Sequence, residues 1–323
     1  MPTTIRLTLK LYRFEIAAVL LASVALAAAA LVVAKLLDDV GVPAACFGYT
    51  SPDASQPAVC PALIETWSRI GSRYGVRILQ VIGLLPIGAG LLLGAPLLAR
   101  ELERGTAPLP WTLTGSRRRW LLTRAAILGL VLLVALVPVA LASERLEASW
   151  NPSIDPARSF LDDNYRGPIL VVRGLATFSV AVLAGLVLGR QLPALIVGFG
   201  ASAIIVLGGL AVMDRWYDWT AVYEVAAPQS QTAADHFMDL LRRAPDGRVL
   251  TDEEAGALAP PNPELPPGAI DGTWLDEHFV QVWLIVPGDR YPDAVVVHSG
   301  VLLTGGALAA FASLILVRRR RPV

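Results

Sequence analysis

The sequence predicts an all-α polytopic membrane protein with six spanning helices and a small α/β insertion before the last of them. Three observations carry this prediction. The 323 residues are 54% hydrophobic and only 17% charged, whereas soluble domains have about 45–50% apolar and about 25% charged residues. The apolar residues form six long blocks, and a long acidic segment precedes the last block. The formal net charge of +0 gives no general attraction to nucleic acid.

Each apolar block is long enough to cross a bilayer as a helix, which takes about 20 mostly apolar residues. The first block exceeds the apolar core of a signal peptide, and Lys35 follows it where a cleavable peptide has small residues. We therefore expect the first block to be retained as a span. The predicted spans are Phe14–Ala34, Ile78–Ala99, Leu121–Ala142, Ile169–Leu188, Leu192–Met213 and Gly300–Val317.

The distribution of basic residues predicts that both termini are cytoplasmic. Six spans place the termini on one side, and arginine and lysine accumulate in cytoplasmic loops. In this orientation bases dominate the inner flanks, whereas segment 214–297 lies outside and carries fifteen acidic and five basic residues. The sequence thus predicts a multi-pass protein of the plasma membrane, in contact with its lipids.

The outside segment 214–297 is long enough to fold by itself. Thr220–Val225 and His278–Val286 are rich in residues that favour strands, and Thr232–Arg243 has apolar residues at helical spacing. The segment is therefore predicted to be a small α/β cap. The chain divides into residues 1–213 with five spans, the insertion 214–297, and residues 298–323 with the last span and a basic tail.

The two cysteines, Cys46 and Cys60, lie in the first outside loop. An extracytoplasmic location permits a disulfide, and closing a loop of this size stabilises a fold by about 3 kcal/mol in the chain-entropy model. The sequence favours the disulfide, and two free thiols are the alternative.

Residues needed for nucleotide or metal chemistry are missing from the sequence. A Walker A loop needs a lysine after a glycine-rich turn, and neither Lys10 nor Lys35 has that context. The three histidines are dispersed, with no HExxH or CxxC pairing. The spans lack the paired carboxylates that mark a proton or sodium relay. We expect no catalytic residues, no metal and no resident cofactor.

The loop between the second and third spans, residues 100–120, is the most informative stretch. Gly105 is placed to end a helix, Pro108 and Pro110 prevent the helix from resuming, and Ser116 can cap the next helix. The pattern predicts a compact helix–turn–helix elbow beneath the membrane. We expect four side chains of this elbow to face the cytoplasm: Glu101, Glu103, Arg104 and Trp111.

Three consecutive arginines, Arg117, Arg118 and Arg119, follow the elbow. Each base at an anionic membrane surface contributes about 1 kcal/mol, so the three are predicted to be membrane-surface anchors. Anchoring at the membrane surface does not explain Trp111, or Glu101 and Glu103 among so many basic residues. These residues favour a binding role for the elbow as a whole.

Residues 94–124, GAPLLARELERGTAPLPWTLTGSRRRWLLTR, resemble the permease subunit of type-two ATP-binding-cassette exporters, particularly an actinobacterial branch. The matching positions are Arg100, Glu101, Glu103, Gly105, Thr106, Trp111, Thr112, Ser116, Arg117, Arg119 and Trp120. The resemblance implies that a separately encoded ATPase subunit binds ATP and Mg²⁺, and that the permease works as a dimer with a second copy. It also implies that the elbow docks on that ATPase through Arg100, Glu101, Glu103, Arg104, Gly105, Thr106, Trp111 and Thr112.

Two functions from different classes remain open at this point. The first is an export permease driven by the separate ATPase. The second is a non-transporting membrane sensor or scaffold whose cap binds a ligand. A neighbouring gene for a P-loop ATPase would favour transport, and a neighbouring kinase or anti-sigma factor would favour sensing. The sequence leaves the transported substrate undetermined.

Overall fold

The structure, a computed structural model, describes residues 2–43, 46, 59–105, 116–152, 154–225, 234–260 and 272–319. Its helices are α1 (Pro2–Leu11), α2 (Arg13–Val40), α3 (Cys60–Ile70), α4 (Val76–Gly94), α5 (Pro96–Glu103), α6 (Arg117–Trp150), α7 (Pro168–Leu188), α8 (Gln191–Thr220), α9 (Asp252–Gly256), α10 (Gly272–His278) and α11 (Tyr291–Arg319). Its strands are β1 (Val222–Val225), β2 (His236–Arg243), β3 (Val249–Leu250) and β4 (Val280–Val286).

The six predicted spans are confirmed as helices that are long and apolar enough to cross a membrane. They are α2, the continuous segment α3 to α5, α6, α7, α8 and α11. Several extend beyond the apolar blocks. Helix α6 runs past Ala142, the predicted end of the third span, and continues to Trp150, because Glu, Arg, Leu and Ala in that extension favour a helix.

Helix α7 is the centre of the bundle. In the 18-residue apolar stretch of α7, 72% of the residues are buried, whereas in that of α8 only 17% are. Small residues let α4 and α7 touch through their backbones. A Cβ added at Gly90 would lie 2.8 Å from the carbonyl oxygen of Gly174, and one added at Gly94 would lie 2.6 Å from that of Phe178. The second span and α7 therefore form a tightly packed pair.

The second span changes its helical pitch in its N-terminal part. Residues Gly71–Gly75 form a π-helical turn between α3 and α4. The Trp150 ring packs against both glycines of this turn, and a Cβ added at Gly71 would lie 2.7 Å from that ring. The C-terminal end of α6 is thereby held against the second span. In the same region the structure joins Cys46 to Cys60 by a disulfide, with their Cα atoms 5.4 Å apart.

The cap contains a four-stranded antiparallel sheet in the order β1-β4-β2-β3. The strands expected within Thr220–Val225 and His278–Val286 are confirmed as β1 and β4. The helix predicted over Thr232–Arg243 is wrong, because its described residues from His236 onward form β2, which pairs with β4 along its length. This pairing overrides the local helical spacing.

Candidate coupling site at the elbow between the second and third spans

The elbow is held by the two caps that the sequence predicts. Helix α5 ends at Glu103, and Gly105 follows with φ at +67°, a conformation that glycine adopts without strain. Ser116 caps α6, its Oγ accepting a hydrogen bond from the Arg119 backbone N–H at 3.5 Å. The turn between these caps, residues 106–115, lies outside the described residues, and with it lie Thr106, Trp111 and Thr112.

Glu101 does not face the cytoplasm as we expected. It is 8% exposed and forms an ion pair with Arg124 of α6, which is 4% exposed. The Arg124 guanidinium also lies 4.4 Å from the centre of the Trp120 ring. Glu101 follows Leu97 by one helical turn, so it shares the buried face of α5. The motif glutamate therefore links α5 to the start of the third span.

Arg100, the residue before Glu101, contacts α2 and not α6. It forms an ion pair with Glu15 near the start of α2. Its guanidinium lies 5.7 Å from the ring centre of Tyr12, whose hydroxyl donates a hydrogen bond to the carbonyl of Leu97 at 3.2 Å. Sequence reasoning missed Glu15 and Tyr12. The available signal was Glu15 itself, an acidic residue that opens an apolar span beside several bases.

Glu103 connects α5 to a third helix. Its carboxylate accepts a hydrogen bond at 3.1 Å from the backbone N–H of Gln191, the first residue of α8. A carboxylate at a helix N-terminus is favourable because the first turn has unpaired N–H groups and a partial positive charge. Through these contacts α5 is tied to α2, α6 and α8.

The remaining predicted residues differ in exposure. Arg104 is exposed at the end of α5 and is available to a partner. Among the three arginines, Arg118 donates from Nε to the carbonyl of Leu314 in α11 at 3.3 Å, and Arg119 is exposed. Within the described ranges, no group of three or more His, Cys, Asp and Glu side chains is placed to hold a metal ion.

A second charged and aromatic cluster lies at the end of the bundle next to the cap and anchors it. Buried Arg166 donates to Glu144 at 2.8 Å and to the carbonyl of Leu161 at 2.8 Å. His236, the first residue of β2, stacks on Tyr217 at 4.1 Å between ring centres. Burial lowers the pKa of His236, against an opposing effect of the Asp214 carboxylate. The cap thus meets the spans at a packed contact.

Residues 16–213 match the protein family described as ABC-2 membrane transporter related. The match includes five of the six spans and the whole elbow. No curated protein and no solved structure matches the chain. Since the matched segment is more than half of the 323 residues, this multi-pass membrane protein belongs to the ABC-2 membrane transporter related family.

Proposed function

We propose that this chain is the permease subunit of an ATP-binding-cassette exporter and that it contributes the translocation path across the plasma membrane. A separately encoded ATPase subunit binds ATP and Mg²⁺ and drives two copies of the permease. Both termini and the elbow lie in the cytoplasm. Family membership supports a transporter over the sensor or scaffold, and the strong inside excess of bases supports the orientation.

The observation that carries the coupling proposal is the connection of α5 to three spanning helices. Side-chain contacts of Arg100, Glu101 and Glu103 reach α2, α6 and α8. A force applied to the elbow would therefore move these helices together, since charge-assisted contacts resist separation. In this account Glu101 is a positioning residue and does not contact the ATPase.

The exposed end of the elbow would contact the partner. Arg104 offers a charge, and Trp111 offers a large amphipathic ring of the kind enriched among interface hot spots. Glu103 is exposed as well, although its carboxylate also binds the start of α8. These residues would contribute affinity for the ATPase, while the contacts behind them transmit its movement.

The test compares two elbow variants, Arg104→Glu and Trp111→Ala, with Arg69→Glu, an exposed arginine of α3 on the opposite side of the membrane. Affinity capture of the permease is followed by measurement of the co-purified ATPase and its rate of ATP hydrolysis. We expect both elbow variants to lose at least tenfold of the bound ATPase, which corresponds to about 1.4 kcal/mol of binding free energy. Unchanged capture and hydrolysis in both variants would refute the coupling role.

A further inference from the structure

A polar crevice lies where α7, α8 and α11 meet inside the spanning bundle. Arg173 and Thr177, one turn apart on α7, line it together with Ser202 of α8, and the rest of its lining is apolar. His298 of α11 lies one helical turn before Leu302, which lines this crevice. The imidazole faces α8 at Gly209, where an added Cβ would lie 3.5 Å from Nε2.

Three polar atoms of this cluster are buried without a hydrogen-bond partner among the described residues. They are Nε of Arg173, Oγ of Ser202 and Nε2 of His298. The three residues are 5%, 1% and 2% exposed, respectively. The space between the helices is too small for a water molecule. Unpaired polar groups are costly when they are buried within a spanning bundle, so their presence here points to a function.

The cluster offers a positive charge and hydrogen-bond donors. Arg173 donates from Nη1 to the carbonyl of Asn164 at 3.0 Å and to that of Gly83 at 3.4 Å, and these acceptors carry no net charge. Across the described parts of the chain, no carboxylate forms an ion pair with Arg173, and no acidic residue lines the crevice. The nearby Asp163 accepts a hydrogen bond from Tyr217.

We propose that Arg173, Ser202 and His298 form an intramembrane binding site for the anionic group, a carboxylate or a phosphate, of an amphipathic molecule. The inference rests on the proposed transport function, because it names the charge class of the transported substrate. Helix α8 forms the peripheral wall of the crevice, since only 17% of the residues in its 18-residue apolar stretch are buried. Movement of α8 away from α7 opens the crevice, and the anion then pairs the donors that are unsatisfied in the closed state.

The test uses three fluorescent probes that share an eleven-carbon chain and a dansyl group and end in a carboxylate, a phosphate or a neutral hydroxyl. The full-length protein is purified in maltoside micelles, and binding is measured by energy transfer from tryptophan to dansyl. We expect at least one anionic probe to bind at least tenfold more tightly than the alcohol. The tighter of the two anionic probes identifies the carboxylate or the phosphate as the preferred group.

Variants assign the preference to the crevice. Ser202→Ala and His298→Gln are each expected to weaken anionic binding about tenfold and to leave the alcohol unchanged, since a hydrogen bond to a charged group is worth about 1.5–3 kcal/mol. Arg173→Gln is expected to abolish the preference, but Arg173 also holds Asn164, so the first two variants decide. The controls are Ser179→Ala, whose Oγ bonds within α7, and Arg77→Gln, which is exposed.

The proposal is overturned if the anionic and neutral probes bind equally, or if Ser202→Ala and His298→Gln both retain the anionic affinity. The elbow variant Arg104→Glu is expected to bind the probes normally, since Arg104 does not line the crevice. Failure of the anion site and failure of ATPase coupling are therefore observed in separate experiments.

Discussion

The buried ion pair between Glu101 and Arg124 gives the sharpest prediction about the elbow. The two side chains are only 11% and 5% exposed. Removing one partner from such a pair leaves an uncompensated buried charge and costs about 3–5 kcal/mol. The variants Glu101→Leu and Arg124→Met are therefore each expected to lower the free energy of unfolding by about 3 kcal/mol. This loss corresponds to a fall of about 6 °C in the thermal midpoint.

The double variant Glu101→Leu with Arg124→Met shows whether the loss of stability comes from leaving one buried charge unpaired or from losing the contact between the two side chains. Replacing both charges by apolar side chains is often neutral or stabilising, so we expect its thermal midpoint to return to within about 2 °C of the wild type. The assay is thermal unfolding of the purified protein in maltoside micelles.

An exposed ion pair serves as the control for this cycle. Asp38 and Arg145 are 41% and 52% exposed, so Asp38→Asn is expected to cost at most about 1 kcal/mol. Two results would contradict a stabilising buried ion pair between α5 and α6. One is that the single variants at the elbow lose as little stability as Asp38→Asn, and the other is that the double variant loses as much stability as the two single variants together.

Three further predictions concern the cap, the disulfide and the packing of the bundle. Burial keeps the pKa of His236 in the folded protein below its unfolded value of about 6.5. As the pH drops below that value, the unfolded state binds the proton first, and the stability of the fold therefore falls. His236→Phe should remove this fall, which is measured as the difference in thermal midpoint between pH 7.5 and pH 5.5. Reduction of the Cys46–Cys60 disulfide, which closes a sequence separation of 14, should cost about 3 kcal/mol, and an unchanged midpoint in a reducing agent would contradict this. Gly94→Ala should destabilise the fold by about 1–3 kcal/mol, because the added Cβ would lie 2.6 Å from a backbone carbonyl oxygen of α7. Gly88→Ala in the same helix is the control: its Cβ would meet nothing within 4 Å, so it should be neutral in the same unfolding assay.

The spans and the caps of the elbow could be predicted because they depend on local properties. Apolar length alone identifies a helix in lipid, and the positions of Gly105 and Ser116 correspond to caps with a known stereochemistry. The burial of Glu101 could not be predicted from its motif, since it depends on the approach of Arg124 from another span. A charge pattern read along one helix does not show which neighbour covers it.

The cap shows the same limit for secondary structure. The strand-forming residues of β4 were recognised because they are β-branched or aromatic. Strand β2 contains Leu240 and Leu241 at a spacing compatible with a helix, and its pairing with β4 decides its conformation. The crevice around Arg173 depends on three helices distant in sequence, so its unpaired atoms became visible only in the fold.

The central claim, that the elbow faces the ATPase in the cytoplasm, is tested most directly by labelling a cysteine introduced at Thr106. The chain has two native cysteines and they are bonded to each other, so the new thiol is the reactive group. The account predicts that a membrane-impermeant maleimide leaves Thr106→Cys unlabelled in intact cells, labels it in opened membranes, and labels Leu258→Cys on the cap in both. Labelling of Thr106→Cys in intact cells to the level of Leu258→Cys would place the elbow outside and contradict the account.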